Sequence, residues 1–295
     1  MQQVNVSIGI CVYNEGKNIG KLLGMLLSQK TNIVCISEIY VISSGSTDNT
    51  NSIVKNYAKI DPRVKLITQE NREGKASAIN LFLGNASSEV LVLQSGDTLP
   101  KEDTIEKLVE PFVDPAIGMT GGHSIPVNDR KTFLGFTVQL QWELLHQLSL
   151  VTPRFGELIA FRNLVKNMPK NTNTDEAYIE HVINDHGFEL KYIPQALLYN
   201  KGPETIGDFL KQRRRIYAGH LHLMKTTGYE VSSLNLKNVL MVLKNINITP
   251  KEIIFCFGAG FLEVLGRILG TYDLYIKKTN HCVWDMVKTT KELNK

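Results

Sequence analysis

Apolar and polar positions along the first hundred residues fall into two kinds of run. Val6–Val12, Ile39–Ile42 and Val90–Leu93 are short, rich in β-branched residues and closed by polar turns. That is the pattern of strands buried on both faces. Between them the apolar positions recur at helical spacing: Ile19, Leu22, Leu23, Leu26 and Leu27 form one stripe, and Ile53, Val54, Tyr57 and Ala58 another. Strand, helix, strand in this order predicts right-handed βαβ units and an α/β fold, a mainly parallel central sheet with helices on both faces. Ligands of such sheets bind beyond the carboxyl ends of the strands. The segments there are Tyr13-Asn14-Glu15, Ser43–Asn49 and Gln94–Asp97. All are polar, so the topology nominates them as one site.

Further along, Ile117–Val127 reads as a strand interrupted at Gly121-Gly122, Phe133–Leu150 as an apolar helix and Leu158–Phe161 as a short strand. Asp175–His186 carries a helical stripe closed by Gly187. Phe188–Ile193 and Ala196–Tyr199 read as a β-pair, and Glu204–Thr227 as a helix. Ile253–Leu262 is an unbroken apolar run of ten residues, continued in helical pattern by Glu263, Arg267 and Asp273. Ten is well short of the roughly 20 needed to cross a bilayer. Glu263 and Arg267, one turn apart, are placed to pair. Two readings stay open here: a packed C-terminal helix, or an interfacial helix on the inner leaflet helped by Lys237, Lys244, Lys251, Lys277 and Lys278.

Composition narrows the class. A chain of 295 residues accommodates one large α/β domain with an appendage, and 43% hydrophobic with 21% charged residues excludes global disorder. A net charge of +4 is too mild to imply a nucleic-acid partner. The four cysteines are scattered with no C-x-x-C spacing, so zinc and a disulfide framework are not expected. Cys11 and Cys35 read as small core residues of a reduced protein. The N-terminus runs straight into a strand pattern without a basic-then-apolar leader, so a cytoplasmic location is expected.

The segment from Ser43 to Thr50 follows a buried strand and opens a helix, with Gly45 for a tight turn and Thr47 or Asp48 for capping. No G-x-G-x-x-G follows any strand, so it is not a dinucleotide fingerprint. Taken in order, however, Tyr13-Asn14-Glu15, Ser43-Ser44-Gly45-Ser46-Thr47-Asp48, Asn71–Lys75 and Ser95-Gly96-Asp97 form a set. That set resembles the Tyr-Asn-Glu, Asp-Asp-Gly-Ser-x-Asp, Asn-x-Gly-Lys and Asp-x-Asp segments of family-2 glycosyltransferases, inverting enzymes of the GT-A fold. The resemblance covers roughly residues 4 to 225. It implies a GT-A domain over 1–230, its nucleotide-sugar half about 1–125 and its acceptor half about 126–230. Residues 231–295 are left as a C-terminal helical, membrane-associating segment.

The resemblance also implies roles. Asp97 would grip Mn²⁺ or Mg²⁺, which bridges two phosphates and absorbs the charge left on the departing one. Tyr13, Glu15, Ser43, Ser44 and Ser95 fall where the donor base and ribose are read, and Lys75 near the donor phosphates. Asn200 stands where relatives often carry a histidine metal ligand. Thr174-Asp175-Glu176 matches the family's Thr-Glu-Asp segment. There an inverting transfer needs one carboxylate to take the acceptor proton, Glu176 or alternatively Asp175. Gln212-Arg213-Arg214-Arg215-Ile216 is similar to the Gln-x-x-Arg-Trp signature of membrane-associated members. Gln212 and Arg215 share a helix face, where Arg215 would stabilise the leaving diphosphate and Gln212 contact donor or acceptor. Arg213 and Arg214 read as a solvated face, and His220 and His222 as surface residues.

Three departures bear on these expectations. Ser43-Ser44 and Ser95 stand where the family carries aspartates, and Ile216 where it carries an aromatic. Hydroxyls can read a base or ribose but bring no charge to a metal. A UDP-sugar is favoured as donor, with a GDP-sugar next, and a saccharide or lipid-linked molecule as acceptor at the cytoplasmic face of a membrane. The alternative is a weakened or inactive relative that binds a nucleotide sugar or acts as a scaffold.

Overall fold

The computed structural model describes residues 3–278 together with Thr290 and Leu293. The first half runs β1 (Val4–Val12), α1 (Ile19–Leu27), β2 (Val34–Ser44), α2 (Thr50–Ile60), β3 (Val64–Gln69), α3 (Lys75–Asn85), β4 (Val90–Ser95) and β5 (Thr98–Pro100). It continues through α4 (Thr104–Val109), β6 (Ile117–Pro126), α5 (Phe133–Val151), β7 (Leu158–Arg162), α6 (Asp175–Asp185), β8 (Glu189–Asn200) and α7 (Ile206–Thr227). Two more helices follow, α8 (Leu236–Leu243) and α9 (Ile253–Tyr272).

The strands form one sheet in the order β3-β2-β1-β4-β7-β6-β8-β5. The first four are mutually parallel, and β7 runs against both β4 and β6. From β1 the chain steps outward to β2 and later returns to β4 on its other side, so a crevice opens at the carboxyl end of β1. Register places Val12 beside Ser43 and Cys11 beside Ser95. The three polar turns nominated by the sequence are therefore neighbours.

The unbroken apolar runs have a direct cause. On β1, Val6, Ile8, Ile10 and Val12 face α1 through Leu22, Leu23 and Leu26. On β4, Val90 and Val92 join that core, while Leu91 and Leu93 pack on the opposite face with Ile79 and Phe82 of α3. Alternate side chains point to opposite faces, so a sheet covered on both sides needs apolar residues at consecutive positions. Each such side chain contributes about 1.5–3 kcal/mol on burial.

The structure departs from the sequence reading in three places. β2 begins at Val34, ahead of the expected Ile39, because Glu38 interrupts the apolar pattern without ending the strand. Its carboxylate accepts hydrogen bonds from the Ser7 hydroxyl at 2.7 Å, the Ser87 N–H at 3.1 Å and Lys65 Nζ at 2.7 Å. Elements β3, α3, β5 and α4 were not foreseen, since none is long and strongly periodic. The supposed β-pair of Phe188–Ile193 and Ala196–Tyr199 is instead one strand, β8. Pro194 sits where its pairing with β6 skips, between Gly121↔Tyr192 and His123↔Leu197. A proline is tolerated at such an irregularity because no ladder hydrogen bond is demanded of it.

The C-terminal run of ten apolar residues belongs to a helix twice that length. Glu263 and Arg267 do pair as expected, at 2.8 Å, and the helix passes through them. The stretch Pro250–Lys277, 28 residues with a mean hydropathy of 1.8 in its apolar window, is long and apolar enough to cross a membrane. Cys282 and most of the segment after Lys278 lie outside the described residues. Cys11, Cys35 and Cys256 are free thiols. Cys11 is half-buried, packs against the second core and lines the crevice, and burial pushes its thiol up to about 12.

Candidate active site

Two turns are tied together at the mouth of the crevice. Asn14 adopts a left-handed backbone (φ 53°), a conformation its short polar side chain tolerates. Its Oδ1 accepts the Thr47 N–H at 2.8 Å, and its own N–H donates to Ser46 Oγ at 3.1 Å. Gly45 has φ 68°, and a Cβ there would lie 2.8 Å from the Arg72 backbone nitrogen. Only glycine lets the 71–75 segment approach so closely. That approach carries Arg72 over the Tyr13 ring, 4.0 Å from its centroid, and sets Lys75 at the start of α3.

The centre of the site joins residues a hundred positions apart. Lys75 Nζ lies 2.7 Å from Asp175 Oδ2 and 3.3 Å from Glu176 Oε1. Both carboxylates stand in the first turn of α6, where the helix dipole favours negative charge. Burial works against the charge on Lys75, but Asp175 and Glu176 outweigh it and raise its pKa. Asp175 is pushed up by burial and by Glu176, against the pull of Lys75. For Glu176, burial is outweighed by Lys75 and a backbone N–H, and its carboxyl is held below the usual range. Arg215 is lowered by burial to about 10, against the charges of Asp175, Glu176, Glu157 and Asp97, so it stays cationic at neutral pH.

Asp97 occupies the turn between β4 and β5, and burial raises its pKa against the opposing charges of Lys75 and Arg215. Glu157, absent from the sequence reading, belongs to the same group. Its backbone is left-handed (φ 55°), and its carbonyl accepts the Ser95 N–H at 2.9 Å. Burial, then the charges of Asp97 and Glu176, push its carboxyl up to about 7. Asp97, Glu157, Asp175 and Glu176 together outnumber the Lys75 and Arg215 cations they surround.

These groups line one cavity of about 690 Å³. Tyr13, Glu15, Ser44, Lys75, Ser95, Asp97, Asp175, Glu176, Asn200, Gln212 and Arg215 all reach it. Ser43 does not: it is buried one strand residue behind, and its hydroxyl donates to Ser46 Oγ at 2.9 Å. Glu15 is buried and accepts from Asn18 Nδ2 at 3.1 Å, so it braces the start of α1 as well as lining the cavity. Lys75, expected at the donor phosphates, rests here on the two carboxylates of the acceptor half.

The oxygens present suit a hard divalent cation. Asn200, at the end of β8, is buried with an Oδ1 that accepts no hydrogen bond, and it pairs in register with Thr98 next to Asp97. A buried carbonyl oxygen left without a donor is costly unless a ligand claims it. Among the described residues no three His, Cys, Asp or Glu side chains gather as a ready cage. An ion here would take the rest of its oxygens from a bound ligand and water.

On the cavity wall, through Arg154 and His220, lies a network that the sequence reading missed. Arg154, buried, donates through Nη1 to Glu180 at 3.4 Å and through Nη2 to His220 Nε2 at 2.8 Å. Tyr229 donates its hydroxyl proton to Glu180 at 2.7 Å. His220, expected at the surface, is buried, and burial and Arg154 drive its pKa well below the ordinary value. It is therefore a neutral acceptor that locks α7 to the loop before β7. His222, also expected at the surface, is half-buried, with Nε2 3.2 Å from Asn171 Nδ2. Arg213 and Arg214 are also not a solvated face. Arg213 grips Glu263 at 2.8 and 3.0 Å, and Arg214 grips Asp273 at 2.6 and 2.5 Å, tying α7 to α9 and its continuation. No local spacing signals these pairs, because the partners lie 50 or more residues apart.

Known proteins share this architecture. The poly-β-1,6-N-acetyl-D-glucosamine synthase of Staphylococcus epidermidis is 26% identical over 291 residues, covering 93% of this chain and 69% of that protein. Its counterpart in Staphylococcus aureus (strain COL) is 25% identical over 255 residues, covering 79% and 61%. A mannosyltransferase from Pyrobaculum calidifontis, solved in complex with GDP-Man and Mn²⁺, has a TM-score of 0.69 at 20% identity, covering 95% of this chain and 89% of that one. Glucosyl-3-phosphoglycerate synthase from Mycobacterium tuberculosis has a TM-score of 0.52 at 14% identity, covering 78% and 82%. At such identities the solved structures speak for the fold alone, a GT-A-type α/β fold. Residues 7–162 match the model of glycosyl transferase family 2. That match spans more than half of the 295 residues, and the chain belongs to glycosyl transferase family 2.

Proposed function

We propose that this glycosyltransferase moves a sugar from a nucleoside-diphosphate sugar to an acceptor hydroxyl in a single, inverting displacement. The observation that carries the reading is the meeting of Asp97, Asn200, Arg215 and the Asp175–Glu176 pair in one cavity at the carboxyl ends of the strands. Tyr13 with Arg72 above it offers a flat stacking face for the donor base, and Ser44 and Ser95 offer hydroxyls to base and ribose. A UDP-sugar is the favoured donor, and a GDP-sugar the second. Asp97 and Asn200 would hold Mn²⁺ or Mg²⁺, whose charge supports departure of the diphosphate. Arg215 neutralises the same developing charge from the protein side.

Glu176 is the proton acceptor in this reading. Asp175 makes the shorter contact to Lys75 and has a side chain only 8% exposed, whereas Glu176 is 21% exposed to the cavity. The acceptor oxygen attacks the anomeric carbon, the sugar–phosphate bond breaks, and the acceptor proton ends on the Glu176 carboxylate. The test is a screen of UDP- and GDP-sugars with Mn²⁺ or Mg²⁺, measuring release of nucleoside diphosphate against a metal-free control. Release is expected with at least one donor. Binding without turnover would point instead to an inactive relative, and no binding at all would end the proposal.

We further propose that α8 and α9 rest on the cytoplasmic face of a membrane. Ile254, Phe257, Phe261, Val264 and Ile268 follow helical spacing along α9 and are exposed, Phe257 by 77% and Phe261 by 67%. The opposite face of α9 buries Ala259, Leu262 and Gly266 against the protein, which supports lying flat rather than spanning. The full chain is expected to co-sediment with vesicles containing phosphatidylglycerol. Phe257→Glu with Phe261→Glu should weaken that binding at least tenfold, since each phenylalanine contributes about 1.5–3 kcal/mol when buried. Equal sedimentation of the two proteins would rule the surface out.

A further inference from the structure

The cavity is larger than the group of charges at its centre, and its far part is built of different material. Away from the carboxylates its wall is made by α5, α8 and α9, through Leu144, Leu145, Leu148, Val239, Val242 and Ala259. Four of the polar lining residues on this side, Glu263, Arg213, Arg267 and Gln141, pair with one another. Glu263 receives Arg213 at 2.8 Å, Arg267 at 2.8 Å and Gln141 at 3.5 Å. Aliphatic side chains make up most of this wall. Burying the many hydroxyls of a saccharide against it would leave them unpaired, at a cost that an alkyl chain does not incur.

We infer that this apolar extension binds the hydrocarbon chain of a lipid acceptor whose hydroxyl-bearing head reaches Glu176. The inference rests on the proposed transfer reaction at the carboxylate end and names the acceptor class for it. Continuity supports a lipid occupant. Two of the three helices that wall the extension, α8 and α9, also carry exposed Leu240, Met241, Phe257 and Phe261 on their outer sides. A chain leaving an apolar phase on which these helices lie would pass from one apolar surface to the next. Gly260 stands on the cavity face of α9, in helical step with Cys256, Glu263 and Arg267, and a Cβ there would meet open space. A large side chain at this position can enter the extension without displacing backbone.

The test is calorimetric titration of the full chain with methyl, hexyl, octyl and nonyl β-D-glucopyranoside, each below its critical micelle concentration. Affinity is expected to rise about three- to fourfold per methylene, the increment for burying a CH₂ group. Gly260→Phe should flatten that dependence, and so should Leu144→Gln, a milder change at a half-buried wall position. Equal affinity along the series, with UDP or GDP still bound by the same protein, would overturn the inference and leave the donor site standing. A dependence that persists undiminished in both variants would also overturn it, because the chain would then be adsorbed on the outer face of α9. Failure of both nucleotides to bind would instead sink the donor reading on which the inference rests.

Discussion

Asp97→Asn is expected to lower metal-dependent turnover about a hundred- to a thousandfold, the loss seen when one group that stabilises developing charge is removed. The substitution keeps the shape and one oxygen but removes the charge. In this chain that charge has few substitutes. The position two residues earlier, an aspartate in the family pattern, is Ser95, and Asn200 is neutral. Glu157 is close, but with its carboxyl pushed up to about 7 it is only partly ionised at neutral pH. The concentration of Mn²⁺ giving half-maximal rate should rise along with the fall in turnover. A titration showing near-normal rate and metal dependence in Asp97→Asn would remove Asp97 from the centre of the mechanism.

Glu176→Gln should reduce turnover by about 10²- to 10⁴-fold, the usual contribution of a positioned general base, while UDP or GDP binding stays within a few-fold of wild type. Asp175→Asn is expected to act differently. It takes from Lys75 its nearest partner, 2.7 Å away, so the lysine is freed toward the rest of the cavity. The change should appear in donor KM more than in kcat. Measuring both constants for both variants separates the roles. If Asp175→Asn shows the larger fall in kcat, the two carboxylates exchange assignments. If both variants turn over like wild type, the acid–base role lies elsewhere.

Much of the sheet was legible because its strands are buried on both faces, which forces consecutive apolar residues at β1, β2 and β4. The turns that follow them were legible as a set of polar segments at one edge, and eleven of the twelve residues singled out there and in the later motifs reach one cavity. Ser43 stands outside it because a strand end and the turn after it differ by one residue, and the alternation of sides puts Ser44 in the cavity and Ser43 behind it. β8 was misread because a proline inside a strand looks like a turn unless the neighbouring strand is known to skip at that point.

Local order alone determined that this chain alternates strand and helix and that its polar turns converge; the resemblance to family 2, not local order, singled out Asp97, Glu176 and Arg215. Periodicity and turn chemistry act over a few residues and leave a trace in any short window. Tertiary structure decided the rest. Lys75 meets Asp175 across 100 positions, Arg154 meets His220 across 66, and Arg213 meets Glu263 across 50. Nothing nearby in the chain marks these pairs, since a charge at the surface and a charge awaiting a distant partner are spelled alike. Which lysine is solvated, which histidine is buried neutral, and how far the cavity runs beneath α8 and α9 are settled only when the desolvation of each group is balanced against the partner that folding brings to it.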